Sequence, residues 1–276
     1  MSLQFYNVTA CSLHFLLGSL FTVWFPLLNQ SNPNNPTQGI ELSIRDHVLN
    51  FSMDESNNVI SKWTSDEIVN PPITLVQYLL IAYFFITSAF HAFYASNSLY
   101  GEMISHGNNY VRWIEYAITS TLMLYIIALL CNVKDANIYY MIGATNVVMI
   151  AQGQVVEKAM RDGGDWVLPM ISSFVLLLAE FGIIVRNYLQ RLNQAQTFAQ
   201  DNPTATLENV PKWINYMILV LFAFFSSFGF VSLYSAASKT SYESVEKIYI
   251  VLSFLAKATL GFFVAYGITQ RQKNQI

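Results

Sequence analysis

Seven stretches of mostly apolar residues recur along this chain, at roughly 8–28, 73–98, 110–131, 137–157, 166–188, 212–235 and 246–269. About 20 such residues carry a helix across the hydrocarbon core of a bilayer. In lipid, only helices and closed barrels satisfy all their backbone hydrogen bonds, and runs of this length select the helix. The reading is an all-α integral membrane protein, a seven-transmembrane-helix bundle forming a single domain over residues 1–276. The chain is 11% charged and 54% hydrophobic, against about 25% charged in a soluble domain.

Charged and turn-forming residues divide the runs. Pro71-Pro72 opens the second, Lys134-Asp135 separates the third from the fourth, and Arg161-Asp162-Gly163-Gly164-Asp165 separates the fourth from the fifth. The polar stretch 189–211 carries Asp201-Asn202-Pro203 and reads as a loop. The first loop, 29–70, is too long for a turn and too polar to span. In it Ile40, Leu42 and Ile44 alternate with polar residues, followed by Arg45-Asp46-His47 and then Val48 to Met53. That pattern predicts a small β-hairpin on one membrane face; a disordered, Asn-rich loop is the alternative.

Several function classes find no support. A net charge of −3 gives no reason to invoke nucleic acid. Cys11 and Cys131 lack the spacing of a disulfide framework or a metal site. No small-residue cleavage site follows the first run, which reads as a retained signal anchor. No internal repeat points to an inverted-repeat transporter, and no enzymatic activity is expected.

Lys257 stands in the middle of the last apolar run, where a bare ammonium costs a few kcal/mol. The other basic residues read as lying at span edges or in loops. A buried lysine can form a structural ion pair, or its amine can form a Schiff base with a carbonyl ligand. One lysine in one of seven helices, among aromatic neighbours, is the arrangement expected of a retinal protein. Ser253 lies four residues earlier, on the same helix face, where it can hydrogen-bond the lysine tip.

A cation in low dielectric calls for a carboxylate. Glu115, in Arg112-Trp113-Ile114-Glu115-Tyr116 of the third span, is the candidate counterion. A local Arg112–Glu115 pair is the plainer alternative. Thr119 and Ser120 extend a polar track beyond it. His14 and His91 fall near the middles of the first two spans, with Thr87 one turn from His91. They read as a polar, water-holding cluster able to accept a proton; packing histidines are the alternative. Glu180 in the fifth span is a neutral core acid, a partner for Arg186 or a station on a proton path.

These residues together resemble the heliorhodopsins, over essentially the whole chain. The resemblance rests on the third-span motif, on Ser253-x-x-x-Lys257, on His14 and His91 and on the long first loop. It implies all-trans retinal bound to Lys257, Glu115 as counterion and isomerisation to 13-cis. It also implies a homodimer in the lipid bilayer, the first loop outside near the contact, the N-terminus cytoplasmic and the C-terminus outside. The positive-inside count leans the other way, with Arg45, Lys62, Lys134, Arg186, Arg191, Lys212, Arg271 and Lys273 facing Arg112, Lys158, Arg161, Lys239 and Lys247. Asn146 and Met149 match family pocket positions. Phe222 and Phe225 are chosen as ring contacts by depth. Other microbial rhodopsins usually carry an aspartate where Ser253 stands, so a standard outward proton pump is not expected.

Three functions compete. The first is a retinal light receptor that gates passive proton conduction, with His14, His91, Glu115 and Glu180 defining the path. The second is a photosensor without ion transport, read by a signalling partner. The third is a non-photoactive transporter or receptor with Lys257 in an ion pair.

Overall fold

Long apolar segments without internal turn signals form continuous helices. The computed structural model describes residues 1–30, 44–53, 59–69, 74–201, 212–238 and 240–274. Among them are seven long helices: α1 (Leu3–Gln30), α2 (Thr74–Ser96), α4 (Tyr110–Leu130), α5 (Ala136–Asp162), α6 (Val167–Asp201), α7 (Trp213–Ala237) and α8 (Tyr242–Asn274). A short helix, α3 (Ser98–Ser105), follows α2. Six of the long helices are apolar enough to cross a membrane. The 27-residue α5 has the length, but Asn137, Asn146, Gln152, Gln154, Glu157 and Lys158 make it more polar.

Polar side chains set the helix ends. The carboxamides of Asn97 and Asn109 accept from the backbone amides of Leu99 and Arg112, capping α3 and α4, and Asp135 does the same for α5. Gly163 ends α5 at a φ of 72°, the left-handed conformation a C-cap favours. Where the sequence reading places a loop from 189, α6 runs on to Asp201. That stretch is rich in Gln, Leu and Ala, all good helix formers, and meets no Gly or Pro before Pro203.

The first loop contains strands β1 (Ile44–Met53) and β2 (Val59–Val69), paired antiparallel with Val48 opposite Thr64 and Phe51 opposite Ser61. Arg45, Asp46 and His47 lie inside β1. Ile40 and Leu42 lie outside the described residues.

The long helices close into a ring: α1 packs on α2 and α8, α4 on α2 and α5, α6 on α5 and α7, and α7 on α8. Each turns one stripe inward. On α1 the buried positions are Leu3, Asn7, Ala10, His14, Gly18, Phe21 and Phe25, at three- and four-residue spacing. The opposite face exposes Leu16, Leu20, Val23 and Leu27, as a lipid-facing surface should. Gly18 lets the ring of Phe85, and Gly261 the rings of Phe21 and Phe84, come close against the helix backbones, the use of small residues usual in membrane packing. Phe21, Phe25 and Phe84 stack with Leu124, Ile127 and Leu260 into the core below the site.

Candidate functional site

The inward stripe of α8 carries Glu246, Tyr249, Ser253, Lys257 and Leu260 in successive turns. Lys257 is 3% exposed, so its amine is shielded from the medium around the bundle. Its Nζ donates to Ser253 Oγ at 2.6 Å and to Glu115 Oε1 at 3.4 Å. The Tyr116 ring lies 5.5 Å from the same nitrogen. Glu115 is also buried, and its other oxygen accepts from Tyr94 Oη at 3.4 Å. The plainer pairing of Glu115 with Arg112 does not occur: the carboxylate turns inward to the lysine.

Arg112 is buried instead in a separate charge cluster. It pairs with Glu157 of α5 and Glu246 of α8, and its guanidinium lies over the rings of Trp113 and Tyr249 at 4.8 and 4.4 Å. Asn109 Nδ2 and Tyr100 Oη donate to Glu246, while Asn109 N and Tyr242 Oη donate to Glu157. By sequence Arg112 reads as lying at a span edge, and neither glutamate stands out. Charges at helix ends are common, so neither carried a signal by itself.

His14 and His91 stack with ring centroids 5.5 Å apart. Both lie within electrostatic reach of Lys257. Thr87 is buried beside Glu115, its hydroxyl outside hydrogen-bond geometry. Glu180 is fully buried, and neither of its oxygens has a partner among the described residues, so it does not pair with Arg186. The carboxamide of Asn146 donates to Ser120 Oγ and Thr121 Oγ1, both at 2.7 Å.

A cavity opens from Lys257 between α4, α5, α6, α7 and α8. The space within it that is open to the centre of a water molecule is about 100 Å³. Trp113, Tyr116, Met123, Met149, Phe174, Leu177, Phe225 and Phe228 make apolar walls, with Ser120 and Ser253 among the few polar groups. Phe222 is not among the lining residues; it packs against Phe181 at 5.2 Å. Gly153 and Gly229 give the walls their shape, because a Cβ at either position would overlap the ring of Trp113 or Phe174.

A family model for heliorhodopsin matches residues 3–269. The chain belongs to the heliorhodopsin family. In fold it is similar to a light-driven proton pump from Leptosphaeria maculans, with a TM-score of 0.51 and 13% identity over 96% of each chain. At that identity the likeness is one of fold. No curated protein sequence matches the chain. Family and fold together make this heliorhodopsin a retinal-based photoreceptor of the membrane. The cavity fits that chromophore: a buried primary amine at one end, aromatic walls and few polar groups.

One prediction concerns the wall. Gly153→Ala forces the Trp113 ring to move, and overpacking of this kind costs about 1–3 kcal/mol. Thermal unfolding should register that loss, and the absorption band should shift as the ring enters the cavity. If both stay as in the wild type, the indole does not bound the chromophore.

Proposed function

We propose that Lys257 holds all-trans retinal through a Schiff base, with Glu115 as counterion and Ser253 orienting the nitrogen. The observation that carries this reading is Lys257 Nζ, set 3.4 Å from Glu115 and 2.6 Å from Ser253 where the apolar cavity begins. An ion pair alone accounts for the contact with Glu115 but not for the adjoining cavity. Bound retinal supplies light-driven isomerisation from all-trans to 13-cis. Glu115 balances the positive charge in a medium where an unpaired cation is costly. Ser120, held by Asn146, and Met149 border the chromophore with Phe225. The more polar α5 completes the seventh span. The proposal extends to a homodimer with a cytoplasmic N-terminus and the first loop outside.

His14, His91 and Thr87 form a proton-accepting cluster beside the lysine. Their atoms Nε2, Nε2 and Oγ1 are buried without protein partners, and buried polar groups of this kind are satisfied by ordered water. Glu180 lies one turn beyond Leu177, a lining residue, on α6. As an unpartnered intramembrane carboxyl it is the station for passive proton conduction gated by light. Glu180→Gln should therefore cut light-induced whole-cell current by on the order of tenfold or more. An undiminished current removes Glu180 from the path.

A specific observation favours the second reading, a photosensor read by a partner protein. Arg112, Glu157 and Glu246 bond one another across α4, α5 and α8 near the ends where α4 and α8 begin. This cluster closes the bundle there and gives helix movement a rigid point to act on. In that case no photocurrent appears at any voltage.

A further inference from the structure

We infer that Asn7 is a positioning residue that fixes the tautomer of His91, so that both buried histidines present Nε2 as a proton acceptor. The inference rests on the reading of Lys257 as the retinal attachment, and concerns where a proton leaving that nitrogen is received.

The argument starts from what each ring nitrogen faces. His14 Nδ1 lies 2.7 Å from the backbone carbonyl of Ala10. A carbonyl oxygen only accepts, so this nitrogen must carry the hydrogen. In a neutral imidazole the other nitrogen is then a bare acceptor. His91 Nδ1 lies 2.9 Å from Asn7 Oδ1. A carboxamide can present either end, so that contact alone leaves the tautomer open. A second bond settles it. Asn7 Nδ2 donates to the carbonyl of Leu3 at 3.2 Å, which turns the amide nitrogen toward its own helix and the oxygen toward His91. His91 Nδ1 must therefore donate, and its Nε2 is the acceptor.

Asn7 is 0% exposed, so bulk solvent does not compete for these bonds. It sits on the same buried stripe of α1 as His14, two turns away. The residue thus acts on His91 from the neighbouring helix, while His14 is set by its own helix backbone. Both Nε2 atoms are buried without a protein partner. The charged and titratable groups around them are Lys257, Glu115 and Tyr94, with Tyr100 facing Asn7 from α3. Two stacked rings with their acceptor nitrogens preset need no tautomer exchange before receiving a proton. A His91 with hydrogen on Nε2 would have no lone pair to offer there.

The test is nitrogen-15 NMR of histidine-labelled full-length protein in lipid, together with flash absorption. In the dark wild type both histidines should show protonated Nδ1 and bare Nε2. Asn7→Leu removes the acceptor and should move His91 to the Nε2–H form. It should also lower the yield of the transient near-ultraviolet signal of a deprotonated linkage by on the order of tenfold. Asn7→Asp, close in shape, keeps an acceptor toward His91. It should retain the wild-type tautomer and the signal even if the leucine variant folds poorly. Nε2–H in the wild type overturns the inference, as does an Asn7→Leu protein with unchanged tautomer and unchanged yield. Retention of colour by Lys257→Ala is the separate failure that overturns the underlying attachment.

Discussion

Lys257→Ala should give a colourless protein when reconstituted with all-trans retinal. The wild type should hold its visible band under the same conditions. No other lysine lines the cavity among the described residues, so no second amine can replace the lost one. The substitution has a structural cost as well. It leaves Glu115 buried without its cation, and breaking a buried pair from one side typically costs about 3–5 kcal/mol. Loss of colour must therefore be separated from loss of fold. Preformed retinal imine of a short alkylamine, added to the variant, should enter the space vacated by the lysine side chain and restore a visible band. A variant that is coloured with free retinal would move the attachment elsewhere.

Arg112→Gln is expected to be the most destabilising single change outside the cavity. It removes the one cation between Glu157 and Glu246, whose side chains are only 12% and 2% exposed. Two carboxylates would then face each other at low dielectric, at a cost of about 3–5 kcal/mol. For a chain of this size that corresponds to a fall in Tm of roughly 10 °C. Arg112→Lys should recover little, because one ammonium cannot reproduce the guanidinium fork that reaches both carboxylates. Adding Glu246→Gln to Arg112→Gln should recover part of the loss, since residues within one network do not act additively. Equal melting temperatures for wild type and Arg112→Gln would mean that the cluster carries no stability.

How much of this was readable beforehand depended on whether a residue contradicts its surroundings. Lys257 in an apolar run does, and the four-residue spacing to Ser253 follows from helix geometry alone. Glu115, His14 and His91 are legible for the same reason. The partners of Arg112 are not. Glu157 and Glu246 are 45 and 134 positions away and sit near helix ends, where charge is ordinary. Their burial comes from how α4, α5 and α8 meet, which no local pattern records. Tyr94 was hidden differently: in a chain with 16 tyrosines, one hydroxyl aimed at a carboxylate does not stand out. Asn7 has no signal without its contacts. Phe222 and Phe225 were chosen by depth, and helix rotation then separated them, Phe225 to the cavity and Phe222 to Phe181. The extension of α6 shows the converse, since a polar stretch can remain helical when its residues are good helix formers.

The most direct measurement of the central claim is the visible absorption of wild type and Glu115→Gln, titrated over about pH 5 to 10. Glu115 is the carboxylate bonded to Lys257 Nζ, and its negative charge holds the proton on that nitrogen. With a neutral amide in its place, the band should shift to longer wavelength. It should also give way to near-ultraviolet absorption at a lower pH than in the wild type. The same maximum and the same titration midpoint in both proteins would mean that Glu115 is not the counterion of a retinal held at Lys257.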